Sequence, residues 1–128
     1  MINKTILSTM LAGIVIATSV PSDANAASIR VKCDKRTSRS SISVDAKNLV
    51  PGQYRCQALS GSNQKTTALR NSAGDEMECD FASNAGDIAA GATRIAANFI
   101  QPGAVTGKII DASGFTIASD AVTCRVRR

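Results

Sequence analysis

The chain has 128 residues, with 15 lysines and arginines against 10 aspartates and glutamates, for a net charge of +5. It contains no histidine and no tryptophan. The absence of histidine excludes histidine-based triads, imidazole acid–base catalysis and histidine-containing zinc sites. Aromatic residues make up only 3% of the chain, so its core must be built from aliphatic side chains, which bury less area than large rings do.

The first element in chain order is an export signal over residues 1–26. Lys4 supplies a positive start, Ile6 to Val20 is an uncharged apolar run, and Pro21 precedes Ala24-Asn25-Ala26, an A-x-A cleavage pattern. A membrane span needs about 20 apolar residues and this run stops at about 15. No cysteine stands at the cleavage point, since Cys33 lies well past Ala26. Cleavage would leave residues 27–128 as one exported domain, periplasmic or extracellular, with no transmembrane segment. It removes Lys4 and Asp23 together, so the charge stays at +5.

Beyond the signal, apolar and polar residues alternate with a period of two, the pattern of a half-buried strand. "SIRVKC" sets Ile29, Val31 and Cys33 on one face, and "SISVDAK" does the same with Ile42, Val44 and Ala46. "LVPGQY" presents a Pro-Gly turn, after which "QYRCQAL" aligns Tyr54, Cys56 and Ala58. "GDEMECDF" then places four carboxylates and a cysteine close together. Alternation puts Met77, Cys79 and Phe81 on the apolar face and Glu76, Glu78 and Asp80 on the other. Cys79 therefore points away from the acids that would have to join it in a metal site. The acids are suited to a hard cation such as calcium, but the interleaved, glycine-containing loop spacing of a calcium site is missing. A solvated strand face, paired with arginines on a neighbouring strand, is the expectation.

Residues Ala82 to Ile100 carry two competing patterns. Ile88, Ala92, Ile95 and Phe99 fit one helix face, but Gly86 and Gly91 each weaken a helix by about 1 kcal/mol. The preferred reading is a loop followed by a strand with Thr93, Ile95, Ala97 and Phe99 inward. "IQPGAV" repeats the Pro-Gly turn signal. "AKNLVPGQY" and "AANFIQPGAV" share an Ala-x-Asn-apolar-apolar-Pro-Gly order apart from one inserted residue; a weak internal repeat and convergent turn use explain this equally well. "IIDASGFTI" reads as a hairpin with Gly114 free to take positive φ. "AVTCRVRR" closes the chain with Val122, Cys124 and Val126 aligned inward.

All four cysteines thus fall on apolar faces. Export to an oxidising compartment favours two disulfides. Of the three pairings, Cys33–Cys124 with Cys56–Cys79 is preferred, because it fastens the first strand to the last. The resulting fold class is all-β: a small antiparallel sandwich, immunoglobulin-like or related, of about 7–9 strands.

With the cysteines bridged, a thiolate nucleophile is not expected, and no P-loop, dinucleotide fingerprint or G-x-S-x-G elbow occurs. A carboxylate pair drawn from Asp75, Glu76, Glu78, Asp80 and Asp87 would be needed for glycoside hydrolysis. Three of these acids share an exposed face, where no carboxyl acquires the raised pKa of a general acid. A non-catalytic protein is expected, with no cofactor and no metal. Its directional surface feature is basic: Lys32, Lys35, Arg36 and Arg39 near the first strand, and Arg125, Arg127 and Arg128 at the end. The Cys33–Cys124 bridge would gather them into one cluster able to attract a polyanion such as an anionic envelope polysaccharide, or merely to guard a sheet edge. The function reading is an exported binding or envelope-accessory module of unknown macromolecular partner. Its alternatives are a polyanion-binding module using that edge, and a small hydrolase inhibitor inserting a loop such as Ser60 to Thr66.

Overall fold

Most of the alternating stretches become strands in the residues that the computed structural model describes, 27–127. The export signal over 1–26 and Arg128 lie outside the described residues. In chain order the elements are β1 (Ser28–Arg36), β2 (Arg39–Leu49), β3 (Gly52–Ser60), β4 (Asn63–Thr66), β5 (Arg70–Ser72), β6 (Asp75–Ala82), α1 (Ala85–Ala89), β7 (Thr93–Arg94), β8 (Ala104–Asp111), β9 (Thr116–Thr123) and β10 (Arg125–Val126). One sheet runs β10-β1-β2-β6-β7, and the other β4-β3-β8-β9 with β5 also paired to β3. All pairings are antiparallel except β1–β10 and β6–β7.

The two sheets bury their alternating apolar residues against each other, which makes the fold a generic small β-sandwich, not closed into a barrel. The features that would make it specifically immunoglobulin-like are missing. The chain has no tryptophan to sit on the third strand, and neither disulfide is the bridge between the second and sixth strands of that family. Cys56 of β3 bonds Cys79 of β6 across the two sheets, with both residues fully buried. Cys33 of β1 bonds Cys124, the residue between β9 and β10, with their Cα atoms 4.8 Å apart. The ten strands exceed the expected number because β7 and β10 are two-residue parallel additions at the outer edges of the first sheet. Such pieces are too short to display any period. Val126 is correspondingly 61% exposed rather than inward, because β10 sits on the rim of the sandwich.

Residues 83–103 also differ from expectation. They form α1, a short β7 and an irregular return, not one continuous strand. Ile95, Phe99 and Ile100 are buried, whereas Ala97 is exposed. Polar side chains hold this loop to the sheets. The fully buried Ser40 hydroxyl donates to Ala97 O at 2.7 Å, and Asn63 Nδ2 donates to Phe99 O at 2.8 Å. Ser60 Oγ accepts from Gln101 N–H at 2.6 Å and stands 2.6 Å from Ala104 O, to which it donates. Replacing Ser60 by Ala leaves these two backbone groups without their partner. The expected loss is about 1–2 kcal/mol, read as a lower urea midpoint at unchanged slope; an unchanged midpoint would show that the clamp contributes nothing.

The two similar Pro-Gly segments behave differently. Val50, before the first Pro-Gly, is 68% exposed, and Ile100, its counterpart before the second, is fully buried. The β8–β9 hairpin turns as its sequence requires, with Gly114 at φ +98° and Asp111 Oδ1 accepting from the N–H groups of Ser113 and Phe115, each at 2.9 Å.

Candidate functional site: the basic end and the outer face of the first sheet

The short β10 strand decides where the basic residues go. Its parallel pairing with β1 sets Asp34 beside Arg125 and Lys35 beside Val126. Arg127 N–H then donates to Lys35 O at 2.8 Å, so the register continues and brings Arg127 alongside Arg36. Arg36 in turn faces Arg39 across the β1–β2 turn. Three arginines therefore stand in one row across three adjacent strands, at roughly 4.8 Å per strand. Lys35 Nζ donates to Pro102 O at 3.2 Å, and Arg127 Nε lies 3.5 Å from Asp34 Oδ1, both side chains being half-exposed. No other direct ion pair forms among the described residues, so Arg36, Arg39 and Arg125 have no bonded carboxylate partner, with Asp34 and Asp87 as the acids nearby. Lys32 stands apart from them, farther along the outer face of the sheet, in register with Ser43 of β2 and, beyond it, Asp80 of β6. Arg128 lies outside the described residues.

On that same outer face lies the acidic strand. Glu76, Glu78 and Asp80 are exposed on β6, while Met77, Cys79 and Phe81 are buried. The expected arginine partners on the neighbouring strand are replaced by an acid: β2 sets Asp45 directly opposite Glu78. The Asp45 carboxylate, with help from Asp80, raises the Glu78 pKa above its ordinary value, and Lys32 opposes the shift. A carboxyl whose pKa is raised by folding destabilises the folded state when ionised. That penalty is complete above the folded pKa and disappears as pH falls through it towards the ordinary glutamate value of about 4.3. Glu78→Gln should therefore raise the melting temperature at pH 7 and have no effect near pH 3. Thermal melts of both proteins across this range test it; a gain that persists in acid contradicts the carboxylate-pair explanation. Among the described residues, no group of three or more acids and cysteines is arranged to hold a metal ion.

Besides a cleft of about 520 Å³ lined by Arg30, Asp45, Lys47, Glu76 and Glu78, two clefts open on this face nearer the basic end, with volumes of about 360 Å³ and 260 Å³. They share Asp34, Ser41 and Asp87. The smaller is walled by Arg36, Arg39 and Asn84, and the larger continues past Lys32, Ser43 and Asp80. Serines at 41 and 43 face outward because Ser40, Ile42 and Val44 face the core, continuing the alternation of "SISVDAK". Asn84 and Asp87 arrive on the segment around α1, whose two competing patterns say nothing of which strand it packs beside, so their place next to the arginines is not legible in the sequence.

The segment Ser60 to Thr66 forms the β3–β4 hairpin around a two-residue turn, Gly61-Ser62, with Ser60 and Asn63 turned to the loop clamps described above. No helix among the described residues is long and apolar enough to cross a membrane. A scan against protein-family models returns no match, and comparison with curated proteins returns none either.

Proposed function

We propose that this chain is an exported, non-catalytic binding module that engages an anionic macromolecule through the basic end of its sandwich. The observation that supports this most strongly is the convergence of Lys35, Arg36, Arg39, Arg125 and Arg127 from opposite ends of the chain onto neighbouring strands, with one ion pair among them. Clustered cations of this kind raise the local potential and draw polyanions from solution. The non-catalytic part of the reading rests on the missing histidines and on the engagement of all four cysteines in disulfides. Export rests on the signal-like residues 1–26 and on the two disulfides, which persist in oxidising compartments.

The test is retention on a heparin column. Replacing Lys35, Arg36 and Arg39 together by Ser should bring elution to lower salt and reduce the slope of log affinity against log salt by about 2–3. Retention that does not change refutes the assignment of the surface.

A further inference from the structure

We infer that the joined clefts on the outer face of the first sheet bind an acidic sugar unit, so that the anionic partner is a uronic-acid-type polysaccharide and not a nucleic acid or polyphosphate. The inference rests on the proposed basic end and adds a ligand class to it. Its starting point is the mixed chemistry of the clefts. Arg36 and Arg39 stand opposite each other at the mouth, and paired guanidinium forks suit a carboxylate or sulfate. Immediately beside them are carboxylates, which a simple anion site would avoid, mixed with neutral groups that both donate and accept. Ser41 and Asp87 line both clefts, with Asn84 in the smaller and Asp80 in the larger.

Ionised carboxylates accept hydrogen bonds and donate none, whereas serine and asparagine do both. Asp87 and Asp80 would repel a phosphate chain, which offers acceptors alone. They match the hydroxyl donors of a sugar ring. An acidic sugar presents both features together: one anionic group for the arginines, and several hydroxyls for the carboxylates, Ser41 and Asn84. Asp34, the third carboxylate, already has Arg127 as its partner at 3.5 Å. The clefts' volumes of about 360 Å³ and 260 Å³ are of the size at which small-molecule subsites begin, about 300 Å³. Base stacking has no support here. Tyr54, Phe81 and Phe99 are buried, and Phe115 lies beyond the far end of β8, so no aromatic platform serves a nucleic acid at the basic end.

The experiment measures binding of the full exported chain to polygalacturonate, polyphosphate and single-stranded DNA by titration at fixed ionic strength. Asp87→Ala and Ser41→Ala are each compared with the parent, and thermal melts confirm that both exposed-face variants are folded. For polygalacturonate, each substitution should weaken binding at least fivefold. For polyphosphate, Asp87→Ala should instead tighten binding, because it removes a repelling charge. If Asp87→Ala tightens polygalacturonate as well, or if polyphosphate or DNA binds the parent as strongly as polygalacturonate does, the sugar assignment is overturned while the basic end stands. If none of the three polymers binds, both fall together.

Discussion

Reduction of both disulfides is expected to unfold the domain at physiological temperature. The bridges close loops with sequence separations of 91 and 23 residues. In the chain-entropy account these contribute about 4.6 and about 3.4 kcal/mol, or about 8 kcal/mol together. Domains of this size hold a net stability of only about 5–15 kcal/mol, and here the core is mostly aliphatic, with Tyr54, Phe81 and Phe99 as its buried rings. Little or nothing remains once both constraints are lost. The loss should come in stages, since Cys33 and Cys124 keep 8% and 5% of their surface exposed while Cys56 and Cys79 keep none. The outer bridge is the first to open. Its opening frees β10, which is held to β1 over two residues, and so removes Arg125 and Arg127 from the basic end. Graded reductant, far-UV circular dichroism melts and mass analysis of alkylated thiols follow these stages. A fully alkylated sample that keeps its cooperative melt at the same temperature would end this account. The Cys33→Ser/Cys124→Ser variant provides the functional counterpart: a folded but less stable protein, released from heparin at lower salt.

This coupling of bridge to surface also shows what could be read from the residues and what could not. Cysteines at 33, 56 and 79 announce their inward positions through their neighbours, because a strand of five or more residues displays its period directly, whereas Cys124 is buried at the junction of β9 and β10. Facing direction is a local property. Partnership between strands is not. The alternation of "DEMECDF" turned Glu78 to solvent correctly, yet nothing in those seven residues indicates that Asp45 will stand opposite it, since register depends on how β2 and β6 meet. The row Arg127–Arg36–Arg39 depends on β10, and two residues carry no period. The outward serines on the floor of the clefts follow from Ile42 and Val44 facing inward in "SISVDAK", whereas their far wall comes from an irregular segment held by Ser40, Ser60 and Asn63. Side-chain clamps of that kind, two from hydroxyls and one from an amide, join residues 36 to 57 positions apart, beyond any local pattern. The site was therefore legible strand by strand and hidden where separate segments converge.

The second large effect is expected at Gly107, where β8 packs closely against the valines of β1 and β2. This glycine lies on the inner face of β8, between Val105 and Ile109, both of them buried. A Cβ placed there would stand 2.6 Å from Val31 Cγ2 and 3.1 Å from Val44 Cγ2. Neither neighbour yields easily, because a β-branched side chain has few χ1 options and both valines are held in the core. Gly107→Val should therefore cost about 3 kcal/mol, the upper end for overpacking, and Gly107→Ala about 1 kcal/mol. A loss at this position alone would not identify its cause, so the decisive measurement is a double-mutant cycle. Val31→Ala leaves a cavity of its own, but it also removes the methyl that Gly107→Ala would meet. The pair should be less destabilised than the sum of the singles by about 1 kcal/mol, well above the deviation of about 0.3–0.5 kcal/mol expected for independent sites. Strictly additive denaturant stabilities would mean that the second sheet shifts as a body and that contact with Val31 is not the constraint. Val31 precedes Lys32 and Cys33 on β1, the strand that carries the outer disulfide, borders the clefts and ends at Arg36. If the clash displaces β1 in Gly107→Val, heparin affinity should fall in the protein that remains folded and be restored by Val31→Ala, because the missing side chain at position 107 lets this strand lie flush against the core.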